Sequence, residues 1–129
     1  MFLSIDTSVR DVITLSVFDE HVVHSVEQHA SNRDVLKEID ALLLTLDLEP
    51  RAVAGVVVVV GEGSFTSSRL ATTVANTFSY TNQIPVLAVS SVRAQDVQAC
   101  IPDLLAQVPG QFVSATYSGV PNVTTSSPA

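Results

Sequence analysis

The nine residues from 52 to 60, Ala-Val-Ala-Gly followed by five valines, hold no polar side chain. The run is about half the length of a membrane helix, which takes about 20 apolar residues. Rich in β-branched side chains, it reads as a strand covered on both faces, the setting of an interior parallel strand. Parallel strands need crossover connections, and the crossing helices cover the sheet. The run therefore calls for an α/β chain and predicts a strand at the centre of the sheet.

The flanking segments supply the remaining elements. Phe2 to Asp6 is a short apolar strand, and Val12 to Phe18 alternates Ile13, Leu15 and Val17 with Thr14 and Ser16, the period of a half-buried strand. His21 to Gln28 alternates again after Asp19-Glu20 and completes a meander. Ser31 or Asn32 caps a helix to about Leu46, with Val35, Leu36, Ile39, Leu42, Leu43 and Leu46 on one stripe. Leu44 projects nearly opposite that stripe and is expected to be exposed.

After Gly61-Glu62-Gly63-Ser64-Phe65-Thr66 a second helix runs to about Asn82 and buries Leu70, Ala71, Val74, Ala75 and Phe78. Its other face lines up Arg69, Thr73, Asn76 and Tyr80, and apart from Arg69 no charge occurs between Glu62 and Arg93. A solvated helix face ordinarily carries Lys and Glu, so this one reads as polar but packed. Pro85 to Val89 is a further buried strand. Ser90 or Ser91 caps a third helix with Val97, Cys100, Ile101, Leu104 and Leu105 inward, which Pro102 should kink or split. Phe112 to Tyr117 reads as one more strand, and 118–129 as a Ser/Thr/Pro-rich tail.

Three strands followed by helix, strand, helix, strand and helix make a mixed five-stranded sheet, an antiparallel meander joined to parallel crossover units, with helices covering it. That order fits a ribonuclease-H-like or actin-like half-domain over 1–108, leaving 109–129 as a remnant strand and disordered tail. A doubly wound dinucleotide fold would alternate from the start. The chain's 129 residues suit one domain. Thirteen acidic against six basic residues, a net charge of −7, oppose direct binding of nucleic acid phosphates. Only 15% of residues are charged and 47% are hydrophobic, against about 25% charged in ordinary soluble domains, so some apolar surface is expected to meet a partner. The N-terminus lacks the basic segment and long apolar core of a signal peptide, and a cytoplasmic protein off the membrane is expected.

Two loops could carry chemistry. Gly61, Gly63 and Ser64 lie between a buried strand and a helix N-terminus, where free N–H groups favour anions. The P-loop lysine is missing, because Ser67-Ser68 stand in its region, and Thr66 stands where a dinucleotide fingerprint has its third glycine. The alternative is a tight turn capped by Ser64 or Thr66. Asp6, Thr7 and Ser8 at the end of the first strand suit phosphate or magnesium contacts in an actin-like fold, or a turn held by side-chain hydrogen bonds. His21 and His24 point to opposite faces of one strand and do not converge on a metal. Cys100 reads as a buried hydrophobe rather than a nucleophile.

The Ile5-Asp6-Thr7-Ser8 strand end, the valine run, Gly61-x-Gly63-Ser64-Phe65-Thr66-x-x-Arg69, and Ile84-Pro85-Val86 to Ser91 follow in an order that resembles the N-terminal half of the TsaB (YeaZ) family over roughly residues 1–95. The resemblance implies an actin-like fold and a noncatalytic role beside the paralogous enzyme TsaD in making threonylcarbamoyladenosine on tRNA. It also implies a possible TsaE-type ATPase as a further partner, indirect contact with tRNA, and docking through the two helices bearing Leu44 and the Arg69, Thr73, Asn76, Tyr80 stripe. No cofactor is called for. Glu62 replaces the family's proline, Ser67 a glycine and Ser31-Asn32 a His-Ser pair, and Ala71 stands where glycine is usual. The rival expectations are a glycoprotease-like peptidase or ATP-binding enzyme of the actin-like class, and a self-associating homodimeric module.

Overall fold

The computed structural model describes residues 1–61 and 65–114, with Phe65 described by its backbone alone. Five strands form one sheet: β1 (Phe2–Asp6), β2 (Val12–Phe18), β3 (Val23–His29), β4 (Val56–Val59) and β5 (Val86–Val89), in the order β3-β2-β1-β4-β5. The first three are antiparallel neighbours, while β4 pairs in parallel with both β1 and β5. The helices are α1 (Val35–Thr45), α2 (Phe65–Asn82) and α3 (Ile101–Leu105). This is the mixed five-stranded α/β sheet expected from the element order.

The pleat splits the strands between two cores. Leu3, Ile5, Ile13, Leu15, Val17, Val56, Val58 and Val86 face one side, where they bury Val35, Ile39, Leu42 and Leu43 of α1 and Ala71, Val74 and Ala75 of α2. Phe18, Val57, Val59, Leu87 and Val89 face the other side, against Val97, Cys100, Ile101 and Leu104. β4 is buried at every residue because each face has its own cover. At about 25 cal/mol per Å² of apolar surface removed from water, such a strand locks both layers to the sheet.

Several details differ from expectation. The valine strand is interior, but β1 holds the central place. β4 is also shorter than 52–60, because Pro50 starts a 3-10 turn over Pro50–Ala52 in which Val53 N–H donates to the Pro50 carbonyl. β3 begins at Val23, since Asp19 accepts from the N–H groups of His21 and Val22 and holds them in the turn. Leu36 is exposed, lying at the rim of the α1 stripe, and Leu105 is exposed at the end of α3. Pro102 occupies the first turn of α3, where its missing N–H costs nothing. The break falls earlier, at Asp96 (φ −125°, ψ 80°) within the 3-10 segment Arg93–Cys100. Residues 111–114 make no strand, and the rest of the expected 112–117 strand and the 118–129 tail lie outside the described residues.

Candidate functional site

α1 and α2 pack on the same side of the sheet, so their outer faces form one side of the molecule. Leu44 stands there 81% exposed and Tyr80 68% exposed, with Arg69 and Thr73 also at the surface. The polarity of α2 is quieter than its composition suggests. Thr73 Oγ1 donates to the Arg69 carbonyl at 2.8 Å and Thr77 Oγ1 to the Thr73 carbonyl at 2.8 Å. Each hydroxyl spends its donor on its own helix. On the buried side Thr72 does the same towards Ser68 and Arg69.

Asn76 has a different task from its three companions in the stripe. Its Nδ2 donates to the Val113 carbonyl and its Oδ1 accepts from the Val113 N–H, both at 3.0 Å. The amide thus reads one residue of the passing chain as a strand neighbour would. Ser79 anchors the same segment: its Oγ donates to the Ile84 carbonyl at 2.7 Å and accepts from Gly110 N–H at 3.1 Å. The chain then lies beside α2 and leaves a shallow groove bounded by Thr73, Asn76, Thr77, Tyr80 and the exposed ring of Phe112. Thr77 and Phe112 were not among the residues expected to meet a partner. Thr77 was legible from its helical spacing, whereas Phe112 reaches the site only through the tertiary bond of Asn76.

At the end of β1, Asp6 Oδ1 accepts from Ser8 N–H at 2.8 Å and from Ser8 Oγ at 2.6 Å, closing a side-chain-held turn. Thr7 is buried and donates to the Ser67 carbonyl at 3.3 Å, which pins this turn to the start of α2. Gly61 adopts φ +85°, a conformation that glycine reaches without strain. Gly63 and Ser64, and so most of the expected anion loop, lie outside the described residues.

Cys100 is buried against the second core, and burial pushes its thiol up from the ordinary range near 9. His21 lies in the turn before β3, and His24 and His29, five residues apart on that exposed edge strand, fall on opposite faces. Among the described residues no three His, Cys, Asp or Glu side chains gather to hold a metal. No helix is long and apolar enough to cross a membrane among them.

Comparison with known proteins adds to this geometry. The family model described as TsaD, tRNA N6-adenosine threonylcarbamoyltransferase, matches residues 20–119. The tRNA threonylcarbamoyladenosine biosynthesis protein TsaB of Bacillus subtilis (strain 168) is 30% identical over 77 residues, 60% of this chain and 33% of that protein. The solved structure of YeaZ from Pseudomonas aeruginosa superposes with a TM-score of 0.65 at 25% identity, over 79% of this chain and 50% of that one. A second structure, of an uncharacterized protein with similarity to peptidase YeaZ from Pseudomonas aeruginosa, gives 0.62 at 27% identity over 69% and 42%. The chain thus spans a third to a half of the length of these relatives.

Proposed function

The chain belongs to the family described as TsaD, tRNA N6-adenosine threonylcarbamoyltransferase, in which its likenesses are to TsaB and YeaZ, and on that premise we propose that it is a noncatalytic subunit of the machinery that makes threonylcarbamoyladenosine on tRNA. In this role it presents the outer side of α1 and α2 to a TsaD-type paralogue and meets tRNA only through that partner. The observation that carries the reading is the helical side itself. Leu44 and Tyr80 stand in solvent beside a face whose threonine donors are already satisfied. Such a surface loses little on desolvation and gains apolar contact when another helix covers it. The noncatalytic role is supported by the states of the reactive groups, since Cys100 is packed in the core and an oxygen of Asp6 is bound within its own turn.

Co-elution of the chain with a purified TsaD-type protein tests this. The double variant Leu44→Asp, Tyr80→Asp should lose co-elution while keeping its circular dichroism spectrum. Undiminished co-elution of a folded double variant would overturn the interface. A doubled solution mass that the same variant abolishes would assign the face to a second copy of the chain instead.

A further inference from the structure

β3 forms one edge of the sheet and is bonded within it to β2 alone. Every residue of β3 but Val26 is exposed. The direction of its backbone groups follows from the two ends of the ladder. Asp19 N–H donates to the Val22 carbonyl and Ala30 N–H to the Asp11 carbonyl, and the register between them runs without a bulge. Hydrogen-bonded pairs alternate with unbonded ones in an antiparallel ladder, so His24, Val26 and Gln28 turn their N–H and C=O groups to β2. Val23, Ser25, Glu27 and His29 turn theirs outward, and none of these backbone groups meets a hydrogen-bond partner among the described residues.

Soluble proteins blunt such an edge with lysine, proline, a bulge or a covering loop. From His21 to Ala30 the chain has no lysine, proline or glycine, and Glu27 is its one acidic residue. The strand is also complementary to itself. A two-fold axis at Val26 lays β3 antiparallel to β3 of a second copy and matches every outward residue with another, Val23 with His29 and Ser25 with Glu27, each match occurring twice. All of these are the closely spaced pairs that exchange two N–H···O=C bonds. Moving the axis to Ser25 or to Glu27, the nearest positions that keep outward groups facing each other, loses one pair. At Glu27 it also sets two carboxylates directly opposite, which is destabilising. On the α1 and α2 side, Val26 packs against the first core, and the axis brings Val26 of the second copy beside it, so the apolar layer continues across the joint.

We propose that two copies of the chain join edge to edge through β3 and make one continuous sheet across a two-fold axis at Val26. A second copy is the occupant because it satisfies all the outward groups of the strand at once and brings no like charges directly opposite. The joint uses none of Leu44, Arg69, Thr73 or Tyr80, so it stands or falls separately from the partner reading.

Solution mass by light scattering over a concentration series of the whole chain, with amide hydrogen exchange read at both ends of the series, is the test. The mass should rise from one chain towards two, because a joint made by one pair of strands is small and dissociates on dilution. In the concentrated sample, exchange should slow about tenfold or more at the amides of Val23, Ser25, Glu27 and His29, and less at those of His24, Val26 and Gln28, which β2 already holds. Glu27→Pro removes one outward N–H and no bond to β2, so it should abolish the doubled mass, whereas Leu44→Asp, Tyr80→Asp should leave it in place. The exchange pattern needs no variant, so it decides even where the proline disturbs the fold. A single-chain mass at every concentration would overturn the joint, as would a doubled mass that the helix-face variant dissolves or that a folded Glu27→Pro keeps. Outward amides that exchange equally at both concentrations, whether fast or slow, would overturn it too, and slow ones beside a single-chain mass would assign the edge to another segment of the same chain.

Discussion

Replacing Asn32 by Ala removes a single side chain that holds three backbone groups at once. Asn32 is 7% exposed at the start of the 3-10 turn leading into α1. Its Nδ2 donates to the Val12 carbonyl at 2.9 Å and to the Val9 carbonyl at 3.3 Å, and its Oδ1 accepts from Asp11 N–H at 3.0 Å. These bonds tie the β1–β2 hairpin loop to the start of α1, and they steady Asp11 at φ +57°, a left-handed conformation uncommon outside glycine. A net hydrogen bond contributes about 1 kcal/mol, so the two short bonds and the long one together contribute about 2–3 kcal/mol. With a urea slope of about 1–3 kcal/mol per M for a small domain, the midpoint should fall by about 0.7–3 M. Ser31→Ala loses only one 3.3 Å cap bond to Arg33 N–H and should cost about 0.5–1 kcal/mol. Asn32→Asp keeps the acceptor but turns oxygen lone pairs on two carbonyls, so it should be no milder than the alanine. Urea unfolding of the three variants checks the sequence of costs. An Asn32→Ala chain within about 0.5 kcal/mol of the parent, the scatter of ordinary surface changes, would refute the reasoning.

Two other outcomes follow from single contacts. A Cβ on Gly55 would meet Leu104 Cδ2 at 2.9 Å and Phe2 Cδ1 at 3.1 Å, so Gly55→Ala should cost about 1–3 kcal/mol by overpacking, and thermal unfolding should show Leu104→Ala recovering part of that loss in the double variant. The folded-state pKa of Cys100 is raised by burial, so the stability it contributes is whole below the ordinary thiol range near 9 and is lost as pH rises through the folded value. Iodoacetamide at pH 8 should accordingly label Cys100 only as fast as the chain opens, and rapid labelling of the native protein would contradict its burial.

Much of this architecture was written in short-range patterns. The alternation from Val12 to Phe18 marked β2 to the residue, and the same logic found α1, α2 and the exposed leucine at position 44. Misplacements arose where a distant group decides. The length of β4 depends on what Pro50 does to the chain before it, and the central place of β1 is a property of the assembled sheet. Leu36 fits a helical stripe, yet whether its edge is covered depends on how far the sheet extends beneath it. Asn76 was read as part of a packed stripe for a partner subunit, because its partner within the chain, Val113, is 37 residues away. A polar cavity lined by Asp6, Thr14, Ser16, Ser25 and Asp96, on the sheet face opposite α1 and α2, was equally hidden. Thr14 and Ser16 were visible as the outward members of an alternating strand, but the bend at Asp96 that bridges them belongs to a segment 80 residues later.

The inward turn of the Thr73 and Thr77 hydroxyls has a kinetic consequence. From position 70 to 92 the chain carries no formal charge, so added salt has almost nothing to screen over most of that helix. A contact confined to this stretch of α2 draws no steering from charges of its own, and in that respect its encounter resembles the neutral case of about 10⁵–10⁶ M⁻¹s⁻¹. The lifetime of the joined state, rather than the speed of meeting, then decides how much of it exists.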